Sequence, residues 1–258
     1  MTRTAQRQDT TSVPTTLAID VGGTGLKAAV LDANGDLSSE KVRVETPRPA
    51  YPDVLIAAVA DLVRPLLPVD RVSVGFPGMV RAGRVYSAPN LVRSRPPEDE
   101  LDPGAVAAWS GFALTEALET ELGAPVKVAN DADMQGAAAI RGSGLEMVVT
   151  LGTGFGTALF YEGKLIPHLE FAHHPFRHGE SYDEQLGDET RRRIGAKKWN
   201  RRVALAVATL DALVFFDHLY LGGGNARHVT VDLGPKVTTV DNLAGILGGF
   251  RLWDCAPS

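Results

Sequence analysis

Cysteine is almost absent from this sequence: the only one among its 258 residues is Cys255. A single thiol can form neither an intramolecular disulfide nor a cysteine-based zinc site, so we expect a reducing, cytoplasmic location and no structural zinc. Residues 1–14 lack the apolar segment of a secretory signal, and no later run reaches the ~18 apolar residues that span a bilayer. We therefore expect a disordered N-terminal tail and no membrane contact.

An excess of basic residues is also missing. The formal net charge is -5 and the sequence pI is about 5.7. A general nucleic-acid binder needs a net basic face, so any site for a polyanion must be local. Apolar residues make up 44 % of the chain, which is enough for one large packed core or two modest ones.

What is present is a repeated pattern of strands and glycine turns. Apolar segments at 15–20 and 26–32 flank Gly22-Gly23-Thr24-Gly25, and a third strand is predicted at 37–44 after the turn Asn34-Gly35. Segments at 146–151 and 155–161 flank Gly152-Thr153-Gly154 in the same way. The repeat predicts two related α/β halves.

The remaining segments complete an α/β pattern. Periodicity and turn residues predict helices over 52–67, 112–122, 131–141 and 203–216 and a last one from residue 243. They predict strands over 69–75, 80–86, 126–129, 218–221 and 237–240, and a long Pro-rich connection over 87–103. The apolar residues on the late helices have two interpretations, core or subunit interface, and the core is expected for most of them: Leu205, Leu213, Phe215 and Phe216.

The segment around the first glycine turn, Asp20 to Lys27, suits phosphate binding. Glycines let backbone N–H groups approach a phosphate, Thr24 adds a hydroxyl, and Asp20 at a strand end can hold Mg²⁺ through water. A tight hairpin turn is the structural alternative. The Gly-Lys-Ser/Thr ending of a Walker loop is missing.

The segment around the second turn, Leu151 to Thr157, contains the spacing GxGxG. A dinucleotide-binding loop should open a helix, whereas an apolar β-prone segment follows here, so a phosphate-binding hairpin is favoured. Two such hairpins facing each other can clamp one polyphosphate chain.

Asn130 and Asp131 stand between a predicted strand and a predicted helix. Either residue type is a common helix cap. Phosphoryl transfer, however, needs a carboxylate held beside the attacking hydroxyl, and an aspartate at a strand end meets that need.

Taken together, these segments resemble the ROK family of sugar kinases, and within it the polyphosphate glucokinases most closely. The resemblance runs from Leu17 to Trp253 and rests on five segments in order: AIDVGGTGLKAAVLD, VGFPG, VANDAD, TLGTGFGTALFYEGKL and LGGGNA. It implies an actin-like ATPase (ribonuclease H-like) fold of two α/β domains with a cleft between them, here residues 15–128 and 129–258, the last helix packing back on the first domain.

The resemblance also implies site residues. Asp131 would be the catalytic base, and the sugar would contact Gly78, Asn90, Asn130, Asp131, Glu170 and His173. The phosphoryl donor would contact Asp20, Gly22, Gly23, Thr24, Gly25, Lys27, Gly152, Thr153, Gly154, Gly222, Gly223 and Gly224. The implied partners are glucose or a related hexose, polyphosphate and/or ATP, Mg²⁺ near Asp20, and a second copy of the chain in a homodimer.

The chain departs from the family after His173. Where most family glucokinases have a zinc-binding run of three cysteines and a further sugar-binding glutamate, this sequence has PFRHGESYDEQLG. The nearby histidines (His168, His173, His174 and His178) suggest another metal, but loop histidines are more often hydrogen-bonded or solvated.

A basic run interrupts the otherwise acidic sequence. It contains Arg191, Arg192, Arg193, Lys197, Lys198, Arg201 and Arg202. One interpretation is a solvated helix face. The other is a track for a polyanionic donor, since each phosphate neutralised by a cation releases counterions.

The sequence therefore predicts an enzyme that transfers a phosphoryl group to the 6-hydroxyl of glucose. Three alternatives stay open: a kinase for mannose, fructose or an N-acetylhexosamine, a non-catalytic sugar-binding protein, and a sugar-responsive repressor. A repressor would need a DNA-reading domain before the first strand, which residues 1–14 are too short to form, so we expect no DNA partner.

Overall fold

A computed structural model describes residues 14–94, 100–240 and 245–255 of the chain. The predicted N-terminal tail, apart from Pro14, lies outside these ranges. The strands are β1 (Thr16–Val21), β2 (Leu26–Leu31), β3 (Val42–Val44), β4 (Arg71–Phe76), β5 (Val80–Arg81), β6 (Arg84–Val85), β7 (Val126–Asn130), β8 (Leu145–Leu151), β9 (Phe155–Tyr161), β10 (Lys164–Leu165), β11 (Pro175–Arg177), β12 (Glu180–Ser181), β13 (His218–Gly222) and β14 (Val237–Thr239). The α-helices are α1 (Pro52–Val63), α2 (Pro103–Trp109), α3 (Leu114–Leu122), α4 (Asp131–Ala137), α5 (Tyr182–Leu186), α6 (Asp188–Ile194), α7 (Ala196–Val214) and α8 (Gly245–Cys255).

Two five-stranded sheets share one topology. The first has the order β3-β2-β1-β4-β7 and the second β10-β9-β8-β13-β14. In each, the first three strands in chain order form an antiparallel meander, a fourth strand pairs in parallel with the first, and a fifth pairs in parallel with the fourth. The predicted duplication is confirmed.

Most strands of the two sheets are apolar along their length, because helices cover both faces of each sheet. Leu17, Ile19 and Val74 of the first sheet are buried in one cluster with α1 and α3. Met147, Val149 and Leu219 of the second sheet are buried in another cluster with α7. Strands buried on both faces read as continuous apolar runs.

Helices α4 and α8 lie between the sheets. A third cluster joins Ala129 of β7, Met134 of α4, Val148 of β8 and Leu252 of α8. Helix α8 also docks on the first sheet, where the Ser73 hydroxyl donates to the Gly249 carbonyl (2.6 Å) and the Trp253 indole donates to the Ser73 oxygen (2.9 Å). A side chain on Gly248 or Gly249 would overlap the neighbouring atoms, so the close approach depends on these glycines. The division into domains at residue 128 stays a prediction, and the first sheet runs two residues past it.

Several predicted elements need correction. The strand predicted over 80–86 is a hairpin, β5 and β6, turned by Ala82 and Gly83 at φ 48° and 71°. The third strand is only Val42–Val44, and helix α4 ends at Ala137. Helix α2 was not predicted: its cap Asp102, which accepts from Ala105 N (2.9 Å), lies at the end of the predicted connection, and residues 104–109 had no predicted element.

The long helix α7 begins at Ala196, seven residues before the predicted start. Of the four apolar residues expected in the core, Phe216, just after α7, is buried, whereas Leu205, Leu213 and Phe215 are exposed, so the expected core placement is wrong for these three. Phe215 ends the helix in the left-handed conformation (φ 54°), which turns its ring outward. Within the described ranges no helix is both long and apolar enough to cross a membrane.

Candidate active site

Asp131 lies at the edge of the first sheet where the parallel strands β1, β4 and β7 all end. The register pairs Asp20 with Gly75 and Phe76 with Asn130, which places the carboxyl ends of the three strands side by side. Ligands bind at this edge of open α/β sheets. The two acidic residues predicted at strand ends, Asp20 and Asp131, therefore belong to one site.

Asn130 fixes the entry to helix α4. Its side-chain oxygen accepts from Ala132 N (2.8 Å), and its Nδ2 donates to the Gly78 carbonyl (3.0 Å). The helix-cap alternative is thus correct for Asn130, and the same side chain also ties α4 to the segment carrying Gly78. Gly78 admits no Cβ, which would overlap the Ser87 carbonyl.

The Asp131 carboxylate is held in a mostly buried, acidic position. It accepts one hydrogen bond, from Ala132 N (2.9 Å). Burial, followed by the charge of Asp20, raises its pKa from 3.8 to about 7. A carboxylate with a pKa near the working pH is suited to accept a proton and release it again.

The first glycine loop follows Asp20. Gly22 N donates to Gly25 O (3.0 Å), and the outward carbonyls are held by Thr46 Oγ1 on Gly22 O (2.6 Å) and by the Arg48 guanidinium on Gly23 O. With its carbonyls bound, the loop keeps N–H groups for a ligand. Asn90 is adjacent, since a Cβ on Gly23 would lie 3.1 Å from its Cβ. Thr24 is exposed.

Lys27 lies across the β1–β2 hairpin from Asp20, and their side chains form an ion pair at 3.3 Å. The pair keeps a cation at the mouth of the first glycine loop. The Asp20 side chain is 17 % exposed, so solvent reaches the carboxylate although Oδ2 is paired with Lys27.

The second and third glycine loops are hydrogen-bonded to each other. Asn225 donates from its backbone to Leu151 O (2.9 Å) and from Nδ2 to Gly152 O (2.9 Å). Gly223 has φ 86° and lies so close to the Leu151 backbone that a Cβ would overlap it, while Gly222 ends β13. The two loops thus form one surface at the carboxyl edge of the second sheet.

Helices α5 and α6 support this surface from behind. Asp183 accepts from Phe155 N (2.7 Å) and would meet any Cβ placed on Gly154. Asp188 N donates to the carbonyls of Gly152 and Thr153 at 3.1 and 3.2 Å. A Cβ added to Gly152 or Gly224 would meet no atom within 4 Å, so both glycines face open space.

Behind Asp131, His168 connects two carboxylates. Its Nδ1 lies 3.0 Å from Asp133 Oδ1, and its Nε2 lies 3.5 Å from Glu170 Oε2. Burial alone would lower the pKa of His168, but the hydrogen bonds and charges of the two acids raise it to about 10. Burial alone would raise the pKa of Glu170, but the hydrogen bond and charge of His168 lower it below its usual value. At neutral pH an imidazolium therefore holds Glu170 ionised.

The other loop histidines are peripheral. His173 is exposed on a 3₁₀ turn (Phe171–His173), close enough to Glu170 that its charge contributes to the lowered pKa. His174 and His178 are exposed. Over residues 14–94, 100–240 and 245–255, no three His, Cys, Asp or Glu side chains are grouped so that they could hold a metal ion.

The basic run divides into two sets. Arg191 and Arg192 both pair with Asp188 (2.7 and 2.6 Å), and Arg193 donates to Thr190 Oγ1 (3.1 Å). Lys198, Arg201 and Arg202 instead line a cavity of about 460 Å³ together with Arg177 of β11 and Leu205. Lys197 is exposed and does not line it. The basic track stays a prediction, and the structure separates its cations into a set beside Asp188 and Thr190 and a set that lines the cavity.

Known proteins resemble this chain along most of its length. The ROK family profile matches residues 16–172. The chain belongs to the ROK family. It is similar to the polyphosphate glucokinase of Mycobacterium tuberculosis, at 30 % identity over 247 residues that cover 89 % of this chain and 88 % of the relative. The N-acetylmannosamine kinase of Salmonella newport is 33 % identical over 157 residues, covering 59 % of this chain and 49 % of that protein.

Among solved structures, the inorganic polyphosphate/ATP-glucomannokinase of Arthrobacter sp. strain KM superposes with a TM-score of 0.75 at 30 % identity, covering 92 % of this chain and 96 % of that one. The predicted fold class is confirmed, because ROK sugar kinases have the actin-like ATPase fold and the two sheets of this ROK chain share its duplicated topology.

Sequence reasoning missed several residues of this site. Asp133 stands inside the VANDAD segment, two residues after Asp131. An acidic residue in the first turn of a helix is common, so the sequence gives it no distinct role. His168 appeared only as one of several loop histidines. Thr46, Arg48 and Asp183 stand far from the glycine loops along the chain and carry no local signal, since only the tertiary fold brings them there.

Proposed function

We propose that this ROK protein is a kinase that transfers a phosphoryl group from polyphosphate or ATP to the 6-hydroxyl of glucose, with Asp131 as the general base. The observation that carries the proposal is the placement of Asp131 beside Asp20 at a sheet edge, with the next residue, Ala132, against the second glycine segment, where a Cβ on Gly156 would lie 3.0 Å from its Cβ. The polyphosphate glucokinase and the polyphosphate/ATP-glucomannokinase to which the chain is similar support this choice of donor and sugar.

The sugar side of the site is built on α4 and the segment after β10. Asn130, Gly78 and Asn90 lie at one end of the first glycine loop, and Glu170 lies behind Asp131 with its charge held by His168. An ionised carboxylate accepts two hydrogen bonds from adjacent sugar hydroxyls. Glu170 thereby orients the hexose so that one hydroxyl faces Asp131, and His173 covers the outer edge.

The transfer itself is an in-line exchange. The Asp131 carboxylate accepts the hydroxyl proton as the sugar oxygen forms its bond to phosphorus, and the bond from phosphorus to the leaving phosphate oxygen breaks on the opposite side. Backbone N–H groups of the first and second glycine loops stabilise the charge on the transferred group, and Lys27 adds a cation. The third loop, Gly222 to Gly224, lies at the far end of the donor.

The residues present fit Mg²⁺. The charge of Asp20 raises the pKa of Asp131, an unfavourable proximity that a hard cation with oxygen ligands relieves. When bound, Mg²⁺ neutralises donor phosphate oxygens, and Asp20 would hold it through water. The proposal further includes a homodimer, as the resemblance implies, and, from the sequence itself, a cytoplasmic location without structural zinc or a DNA partner.

The test is the rate of sugar-phosphate formation by the purified protein with Mg²⁺, comparing glucose with mannose, fructose and N-acetylmannosamine, and long-chain polyphosphate with ATP. We expect glucose with either donor to give the highest kcat/KM. Preference for N-acetylmannosamine would favour the second candidate, which the Salmonella newport relative supports. No product from any pair would overturn the kinase assignment and leave a sugar-binding protein.

A further inference from the structure

The cavity between α7 and β11 has an unusual lining. Four of its five lining residues are cations: Arg177, Lys198, Arg201 and Arg202. Lys198, Arg201, Arg202 and Leu205 follow the i, i+3, i+4, i+7 spacing of one helix face, and Arg177 reaches the same space from the strand. Its volume of about 460 Å³ is within the ~300–1,000 Å³ range of small-molecule sites.

These four cations are only partly balanced by the surrounding protein: Glu180 is paired with Arg177 in the β11–β12 hairpin, and its charge acts on Arg202. Among the described residues, no carboxylate forms an ion pair with Arg177, Lys198, Arg201 or Arg202, in contrast to Arg191 and Arg192. Glu180 lies near Arg202, but its carboxylate also accepts from the Gln185 amide. Burial and then the charge of Arg177 hold the pKa of Arg202 below its usual range. Like charges kept this close in a protein of net charge -5 are stabilised by a bound anion.

The cavity is joined to the donor surface through helix α5. Asp183 of α5 holds the second glycine loop at Phe155 N. Two residues on, the Gln185 carbonyl accepts from Arg202 (3.5 Å), and the Leu186 carbonyl accepts from the indole of Trp199 (2.9 Å). One helix of five residues thus separates the loop that faces the transferred phosphate from the cluster of cations.

We propose that this cavity is a second anion site, which binds phosphates of a long inorganic polyphosphate chain at a distance from the reacting end. The proposal rests on the proposed function and specifies which cations contact the donor. They are Lys198, Arg201 and Arg202 of the basic run together with Arg177, whereas Lys197 makes no contact. A linear chain with a negative charge on every unit fits a row of cations along a helix face, whereas ATP ends at the third glycine loop. Each contact releases counterions from the chain, so the site acts most strongly at low salt.

The experiment measures binding without turnover. Titration calorimetry measures the dissociation constants of long-chain polyphosphate and of tripolyphosphate. Two proteins are compared: the Asp131→Asn variant, and the same variant with Lys198→Ala and Arg201→Ala added. We expect the double variant to weaken binding of the long chain about tenfold, the loss expected for charge-assisted hydrogen bonds, and that of tripolyphosphate less than twofold. The salt dependence of long-chain binding should also become shallower.

Lys197→Ala is the matched control, because Lys197 is the exposed neighbour of Lys198 on the same helix and is not a lining residue. It should change long-chain binding less than twofold. Equal losses for both polyphosphates, no loss for either, or an equal loss in Lys197→Ala would overturn the second site. Competition by single-stranded RNA as strong as by polyphosphate of equal charge would also overturn it, since the cavity would then be a general polyanion surface.

The outcome is separable from that of the proposed function. Long-chain binding through Lys198 and Arg201 by a protein that phosphorylates no sugar would support the cavity and reject the kinase assignment. Sugar phosphorylation from polyphosphate with no effect of the double variant would support the kinase and reject the cavity.

Discussion

The His168 imidazole lies 3.0 Å from the Asp133 carboxylate, and both side chains are almost completely buried, with 2 % and 4 % exposure. A charge pair in this position is costly to break, because the remaining partner stays buried without a counterion. The other ring nitrogen of His168, Nε2, faces Glu170. His168 therefore connects helix α4, through Asp133, to the Glu170 carboxylate, for which a sugar-binding role is proposed.

Replacing this histidine tests that role. We expect His168→Gln to raise the KM for glucose about tenfold while changing kcat less, since the amide keeps one contact but cannot hold Glu170 ionised. Its unfolding free energy should fall by about 3 kcal/mol, because Asp133 loses its charged partner. Steady-state kinetics and urea unfolding measure the two effects. His174→Gln, at an exposed position, is the control, and an equal KM change in it would contradict the assignment.

Asp131→Asn should lower kcat by about 10²–10⁴-fold, the contribution typical of a general base.

The Asp131→Asn variant should also be more stable than the parent protein above pH 7. The folded-state pKa of Asp131 is raised from 3.8 to about 7, so its contribution to stability is fully present below pH 3.8 and is lost as pH rises through 7. The neutral amide removes this loss and should raise the Tm at pH 8 by ~2–4 °C. Thermal melts at pH 5 and pH 8 check it, and a lower Tm at pH 8 would contradict it.

The pH dependence of kcat/KM should report the same group. The base is active when deprotonated, so kcat/KM should rise with pH and level off above a midpoint of about 7 in the free enzyme. Burial first and the Asp20 charge second cause the raised pKa. The measurement is kcat/KM for glucose between pH 5 and pH 9 at a donor concentration far below its KM, where most of the enzyme is free. A profile that is flat from pH 5 upward would mean that an ordinary carboxylate, or another residue, is the base.

The third glycine loop offers a comparison of two adjacent residues. Gly223→Ala should lower the unfolding free energy by about 2 kcal/mol or more, because φ is 86° and the new methyl group overlaps the Leu151 backbone. Gly224→Ala meets nothing within 4 Å and should keep the stability of the parent protein. If Gly224 faces the donor, its variant should raise the KM for ATP without changing that for glucose. Urea unfolding and donor kinetics separate the two effects.

Much of this protein could be predicted from local pattern. Alternating glycine turns and apolar strands indicated a duplicated α/β fold, and the position of Asn130 and Asp131 between a strand and a helix indicated a helix start, whereas the role of Asp131 as a base was implied by the family resemblance and stays a prediction. Both follow from short-range rules: a strand needs apolar residues in sequence, a tight turn needs glycine, and a helix start favours a side chain that can cap it. The two halves carry the same signals because they have the same topology.

Tertiary structure decided the rest. Asp133, His168 and Glu170 meet because α4 packs between two sheets, and Arg177 joins Lys198 and Arg201 because β11 and α7 both pack against α5. Among seven cations adjacent in sequence, only the fold determines which are neutralised by Asp188 and which share a cavity. The physical reason is that composition fixes how many charges a segment carries, whereas the distance and dielectric that set their interaction arise only when separate segments pack together.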